Sequence, residues 1–173
     1  MNTSPKGDQR PPKQKRIPAR LAFTDPWCFF GLGFGSGLAP RAPGTFGTLA
    51  AIPLYAFLMH ASPEIYLATT VLLFIAGIPI CFFTEKKVGI QDHSGIVWDE
   101  IVGFLLTLTL LPPNMTSLTL GFIFFRLFDI LKPWPIRWFD RKVHGGLGIM
   151  LDDAIAGLLA CATTHASLSL IGN

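Results

Sequence analysis

Residues 65–83, IYLATTVLLFIAGIPICFF, run for nineteen positions without a charged side chain. A helix needs about 17–25 apolar residues to cross the hydrocarbon core of a bilayer, so this stretch is long enough to span. Four more apolar segments lie at 45–60, 96–111, 116–131 and 153–171. Pro112-Pro113 stops the third and Pro133 follows the fourth, since proline ends a helix. Segments one, three and four are short for a span. They fit either buried helices of a bundle or spans that thin the bilayer locally. Half the chain is hydrophobic and 14% is charged, against about 25% in a soluble domain. The expected fold is all-α: a compact, membrane-embedded bundle of about five apolar helices plus short interfacial helices.

The connecting loops sort by charge. Residues 61–64, 112–115 and 172–173 contain no Lys or Arg. Arg41, Lys86, Lys87, Lys132, Arg137, Arg141 and Lys142 all fall on the other side of the segments. The positive-inside rule then places the N-terminus in the cytoplasm and the C-terminus outside. Residues 1–20 hold Lys6, Arg10, Lys13, Lys15, Arg16 and Arg20 against Asp8, and read as a disordered basic tail before a single helical domain over 21–173. Asp25-Pro26 has the pattern of a helix N-cap followed by proline at the first helical position. In PIRWFDRKVH, residues 135–144, Ile136, Phe139 and Val143 recur at helical spacing with the cations largely off that stripe, as in an amphipathic helix on an anionic membrane surface. Cys28, Cys81 and Cys161 are isolated and read as reduced packing residues.

This topology brings the acids to one leaflet. Asp99 and Glu100 open segment three, Asp129 lies near the end of segment four, and Asp152 and Asp153 open segment five. Ionisable groups at membrane depth cost about 2.5–3.5 kcal/mol each on insertion scales, so they tend to carry a function. Asp99 and Glu100 also fit a plain helix start, which favours acids in its first turn. Asp152 alone would suit an N-cap, and Asp92 and His93 a solvated loop. Arg126 and Asp129, at i,i+3, fit an internal ion pair, and Lys132 a snorkelling anchor. Taken together, acids that would otherwise repel favour bound Mg²⁺, a hard cation that takes oxygen ligands. GFGSGLAPRAPGTFGT, residues 33–48, is either a re-entrant turn or a loop whose backbone cradles phosphate, with Ser36, Arg41, Gly44 and Thr45 as the candidate contacts. It matches neither a Walker A loop nor a Rossmann fingerprint. No Cys-x5-Arg loop, DxD pair or paired-His motif is present.

Four stretches, GFGSGLAPRAPGTFGTLAAIP, DHSGIVWDEIVG, FRLFDILKPWPIRWFDRKVHGG and GIMLDDAIAG, occur in order over about residues 24–160. On them the chain resembles the phosphatidylglycerophosphatase A family. The resemblance implies a Mg²⁺-dependent phosphatase that converts phosphatidylglycerophosphate to phosphatidylglycerol in a multi-pass bacterial inner-membrane protein, with its site facing the cytoplasm. Carried over, Asp99, Glu100, Asp129, Asp152 and Asp153 are the metal-site residues. Asp99, Glu100, Arg126 and Lys132 are the catalytic candidates, and Arg41 joins the cations on phosphate. Water and an Asp both remain open as nucleophile. The partners are the phospholipid and the membrane, with no nucleic acid; self-association stays open. The rival readings are a small transporter or channel with an intramembrane acidic cluster, and a lipid-binding scaffold without turnover.

Overall fold

The computed structural model describes residues 16–171, so most of the expected basic tail lies outside the described residues. Every regular element among these residues is helical. Two short helices come first, α1 (Ala19–Thr24) and α2 (Pro26–Gly31), followed by a 3-10 turn at Gly33–Leu38. Then come α3 (Pro43–Leu58), α4 (Pro63–Val88), α5 (Trp98–Thr107), α6 (Met115–Leu131), α7 (Ile136–Lys142) and α8 (Gly145–Ile171). Helix α1 begins inside the stretch read as a tail.

Local chemistry sets most of these boundaries. The Asp25 carboxylate accepts from the backbone N–H of Trp27 and Cys28, capping α2, and is also tied to Lys87 on α4. Proline opens α3 and α4, where its missing N–H costs nothing. The side chains of Ser62 and Asn114 cap α4 and α6. Helix α6 ends at Lys132, whose left-handed backbone (φ 43) turns the chain toward α7.

Helix α5 is the centre of the bundle. Trp98, Ile101, Val102, Phe104, Leu105 and Thr107 are all buried, and a helix apolar on every face belongs in a core. It packs against α3, α4, α6 and α8. The closest approach is to α8: a Cβ on Gly103 would come within 2.8 Å of the Asp153 carbonyl oxygen, and one on Gly157 would run into the Gly103 carbonyl. Glycine at both positions lets the two backbones touch. At the end whose loops lack Lys and Arg, Tyr66 Oη donates to the Leu105 carbonyl over 2.7 Å, and Tyr55, Leu108 and Pro113 gather there. The opposite end holds the acids.

Two of the five apolar segments form helices long and apolar enough to cross a membrane, α4 with 26 residues and α8 with 27. The expectation of about five apolar membrane-embedded helices is therefore too generous. Helix α5, at ten residues, is a buried core helix, because the segment stops hydrogen-bonding as a helix well before Pro112. Helix α4 leaves Ile65, Leu72 and Ile75 more than half exposed on its outer face. A second correction concerns α8. It starts at Gly145, so Asp152 and Asp153 lie two turns inside it and do not open it.

Candidate active site

Asp99 and Glu100 stand in the first turn of α5, but neither caps it; Val97 occupies the cap position without a side-chain bond. Their carboxylates turn inward to meet Asp153 from α8. One oxygen from each of Asp99, Glu100 and Asp153 lies within 4.8 Å of the other two. Asp153 is only 3% exposed. Asp99 Oδ1, Glu100 Oε2 and Asp153 Oδ2 are buried with no hydrogen-bond partner. Burial first, and then the Glu100 charge, pushes the Asp99 carboxyl well above the usual range. Glu100 is pushed the same way by burial and then by Asp153. Three buried carboxylates gathered this closely, each with an oxygen lacking a partner, are what a hard divalent cation would satisfy, so the donor set fits such an ion.

A cationic wall borders this trio. Arg126 Nη1 is 2.6 Å from Asp129 Oδ2 and 4.0 Å from Glu100 Oε1. It also approaches Thr48 Oγ1 on α3 at 3.5 Å. Arg126 Nε is buried without an acceptor. The first turn of α3 closes the same space, since a Cβ on Gly44 would meet both Glu100 Oε1 and the Arg126 guanidinium.

Asp152 keeps different company. Lys132 Nζ donates to Asp152 Oδ2 and to Asp140 Oδ1 on α7. Burial works against the Lys132 charge, but the Asp152 charge and the bonds to Asp140 and Asp152 outweigh it and hold its pKa above the ordinary value. Lys132 therefore points inward to two carboxylates, unlike a snorkelling anchor. Asp129 sits on Arg126 as the i,i+3 ion pair. Ser36 Oγ is buried without a partner, beside Gly33. Arg41 lies apart from the trio and lines a cavity with Pro43 and His93. Thr45 lies in the first turn of α3, where its N–H donates to the Ala42 carbonyl.

A family model described as Phosphatidylglycerophosphatase A matches residues 29–168, a span that contains every one of these groups. The chain belongs to the phosphatidylglycerophosphatase A family. Phosphatidylglycerophosphatase A of Escherichia coli is 45% identical over 156 residues, which cover 89% of this chain and 91% of that protein. Phosphatidylglycerophosphatase A of Haemophilus influenzae is 40% identical over 149 residues, 85% and 91% of the two chains. A Bacteroides thetaiotaomicron protein, provisionally named a phosphatidylinositol-3-phosphatase, is 40% identical over 136 residues, 74% and 84% of the two. No solved structure matches. As a family member the chain is a phosphatase of phospholipid metabolism, which displaces the transporter and scaffold readings.

Within this phosphatidylglycerophosphatase A fold, three residues stand out that the sequence did not flag. Thr48 contacts Arg126 and bonds the Gly44 carbonyl at 2.9 Å. Its only sequence signal was a threonine one turn after Gly44. Asp140 shares Lys132, and its place on a short basic helix hid that role. His93, expected in solvent, is buried, and its Nδ1 accepts from the Gly95 N–H at 2.9 Å. The Gly37–Gly95 contact shelters it, because the loop before α5 folds back on the loop after α2.

Proposed function

We propose that this chain hydrolyses phosphatidylglycerophosphate to phosphatidylglycerol and phosphate, with Mg²⁺ held by Asp99, Glu100 and Asp153. The observation that carries the reading is the orphaned carboxylate trio beside Arg126, in a chain of this family. The lipids named for the relatives each carry a phosphomonoester on a polyol, joined through a phosphodiester to diacylglycerol.

When bound, Mg²⁺ supplies neutralisation of the charge that gathers on the phosphoryl oxygens. Arg126 does the same from the protein side. Asp129 fixes its guanidinium, and its Nε N–H remains to bind a phosphoryl oxygen. Lys132 anchors Asp152 and Asp140 beside the trio and lends positive charge to the same wall. Ser36, Gly44 and Thr45 are proposed to border the phosphate from the α3 side. Attack by water at phosphorus forms one P–O bond and breaks the bond to the terminal glycerol oxygen. That oxygen leaves as an alcohol, its proton balanced by the one the attacking water gives up.

Helices α4 and α8 are proposed to cross the bacterial inner membrane, with the acidic end facing the cytoplasm. Lys86 and Lys87 close α4 on that side, as the positive-inside rule requires. The exposed apolar face of α4 would then meet lipid.

Phosphate release from the lipid in detergent tests the reading. Turnover with Mg²⁺ should fall by at least about 10³-fold in excess EDTA and return when Mg²⁺ is restored. Full turnover from protein verified to be metal-free would end the metal assignment.

A further inference from the structure

The acidic trio can process one phosphate, whereas the proposed lipid carries two. Resting on that reading, we propose that the cavity flanked by Arg16 and Arg41 receives the phosphodiester of the same lipid. The loop before α3 then selects substrates by the spacing between two phosphates.

The cavity measures about 870 Å³ and is bounded by Arg16, Arg41, Pro43, His93, Ser94 and Gly95, among others. Two guanidinium groups and no carboxylate occur among its described lining residues, the reverse of the trio. A guanidinium is suited to the paired oxygens of a phosphodiester. The two sites are joined through a few residues of backbone. Pro43 lines the cavity, and the next residue, Gly44, packs on Glu100 and Arg126. From Arg41 to Gly44 the chain advances three positions, at most about 11 Å when extended. A glycerol bridge between two phosphates is a group of that order, so one molecule can reach both sites across Pro43–Gly44. The intervening Ala42 has a left-handed backbone (φ 48), unusual for alanine, which turns the Arg41 loop away from the axis of α3. Strained backbone held at such a junction is common beside ligand sites.

The test compares two lipids of equal acyl composition in neutral detergent with Mg²⁺. One is phosphatidylglycerophosphate. The other is phosphatidate, which carries a phosphomonoester on glycerol and no phosphodiester. Arg41→Gln should reduce the ratio of kcat/KM between the two lipids by about tenfold, mostly through KM for the diester-bearing lipid. Arg41→Lys, which keeps the charge and loses the fork, should fall between. An equal loss on both lipids, or no loss on either, overturns the proposal. So does wild-type activity on phosphatidate that rises to the level of the two-phosphate lipid when phosphatidylglycerol is added, because a neighbouring headgroup would then occupy the cavity. A wild-type protein that releases no phosphate from phosphatidylglycerophosphate would instead sink the substrate assignment, a separate outcome.

Discussion

Asp152 and Asp153 stand side by side on α8, about 100° apart around its axis, and face different company. Asp152 is held by Lys132, which also holds Asp140. Asp153 joins Asp99 and Glu100, and each of these three keeps a buried oxygen without a partner, as does Asp152 at Oδ1. Both aspartates are buried, at 7% and 3% exposure. What separates them is how close the counter-charge sits. Lys132 bonds Asp152 directly, whereas the cation beside the trio, Arg126, stands 4.0 Å from Glu100 and leaves room for the ion proposed above. Burying ionised carboxylates without compensation costs several kcal/mol, so the trio must either take up protons or take up a cation. Adjacent acids in a sequence can thus enter different clusters, and here the position of a lysine separates them.

The largest expected contrast lies between the two neighbours themselves. Asp153→Asn should lower turnover by on the order of 10²-fold or more, while Asp152→Asn should lower it by less than about tenfold. The amides keep volume, so both proteins should melt as folded species, and phosphate release at saturating Mg²⁺ reads the difference. Equal losses from the two variants would erase the distinction between the clusters.

A smaller effect sharpens the other half of the comparison. Lys132→Met leaves Asp152 and Asp140 facing each other without their shared cation, and should destabilise the protein by about 1–3 kcal/mol in a detergent melt. Joining it with Asp152→Asn should cost clearly less than the sum of the single changes, since the uncompensated charge is gone. Strict additivity would mean that the ion pair contributes little.

The smallest expected effect is at Gly44. Gly44→Ala puts a methyl group against the Glu100 and Arg126 side chains, whose flexible ends can yield. Turnover should fall roughly tenfold through misplacement of those ends, with the melting temperature nearly unchanged. Unaltered turnover would show that the wall tolerates displacement.

The apolar segments made the helices legible, and proline marked some of their ends. Asp25-Pro26 marks a capped start and Pro133 follows the end of α6, but α5 stops at Thr107, well before Pro112-Pro113, and α3 and α4 run through Pro53 and Pro79. The start of α8 was not legible. GGLGIM, residues 145–150, reads as a flexible turn because glycine weakens isolated helices. Here the missing side chains are what packing demands: a Cβ on Gly146 would strike the backbone of α4, and one on Gly148 the Val143 carbonyl. Tertiary contact overrides local preference, and the helix runs two turns further back. The same lapse hid the split between the aspartates, since what separates them is the neighbour each meets, Lys132 for Asp152 and Asp99 with Glu100 for Asp153, and no spacing along α8 reveals it. The Arg126–Asp129 ion pair followed from spacing alone. The Lys132–Asp140 contact crosses a turn whose geometry no spacing rule supplies.

Gly103 lies four residues beyond Asp99 on α5, and Gly157 four beyond Asp153 on α8. Their backbone contact therefore sits one turn below the acids on both helices. It acts as the stop of a caliper whose jaws are the carboxylates above. Any side chain placed in that stop should open the jaws, and on the proposed reading a wider opening would favour an ion with longer bonds to oxygen, such as Ca²⁺ at about 2.3–2.6 Å, over Mg²⁺ at about 2.0–2.1 Å. Two residues with no side chain at all thus set the aperture of the site.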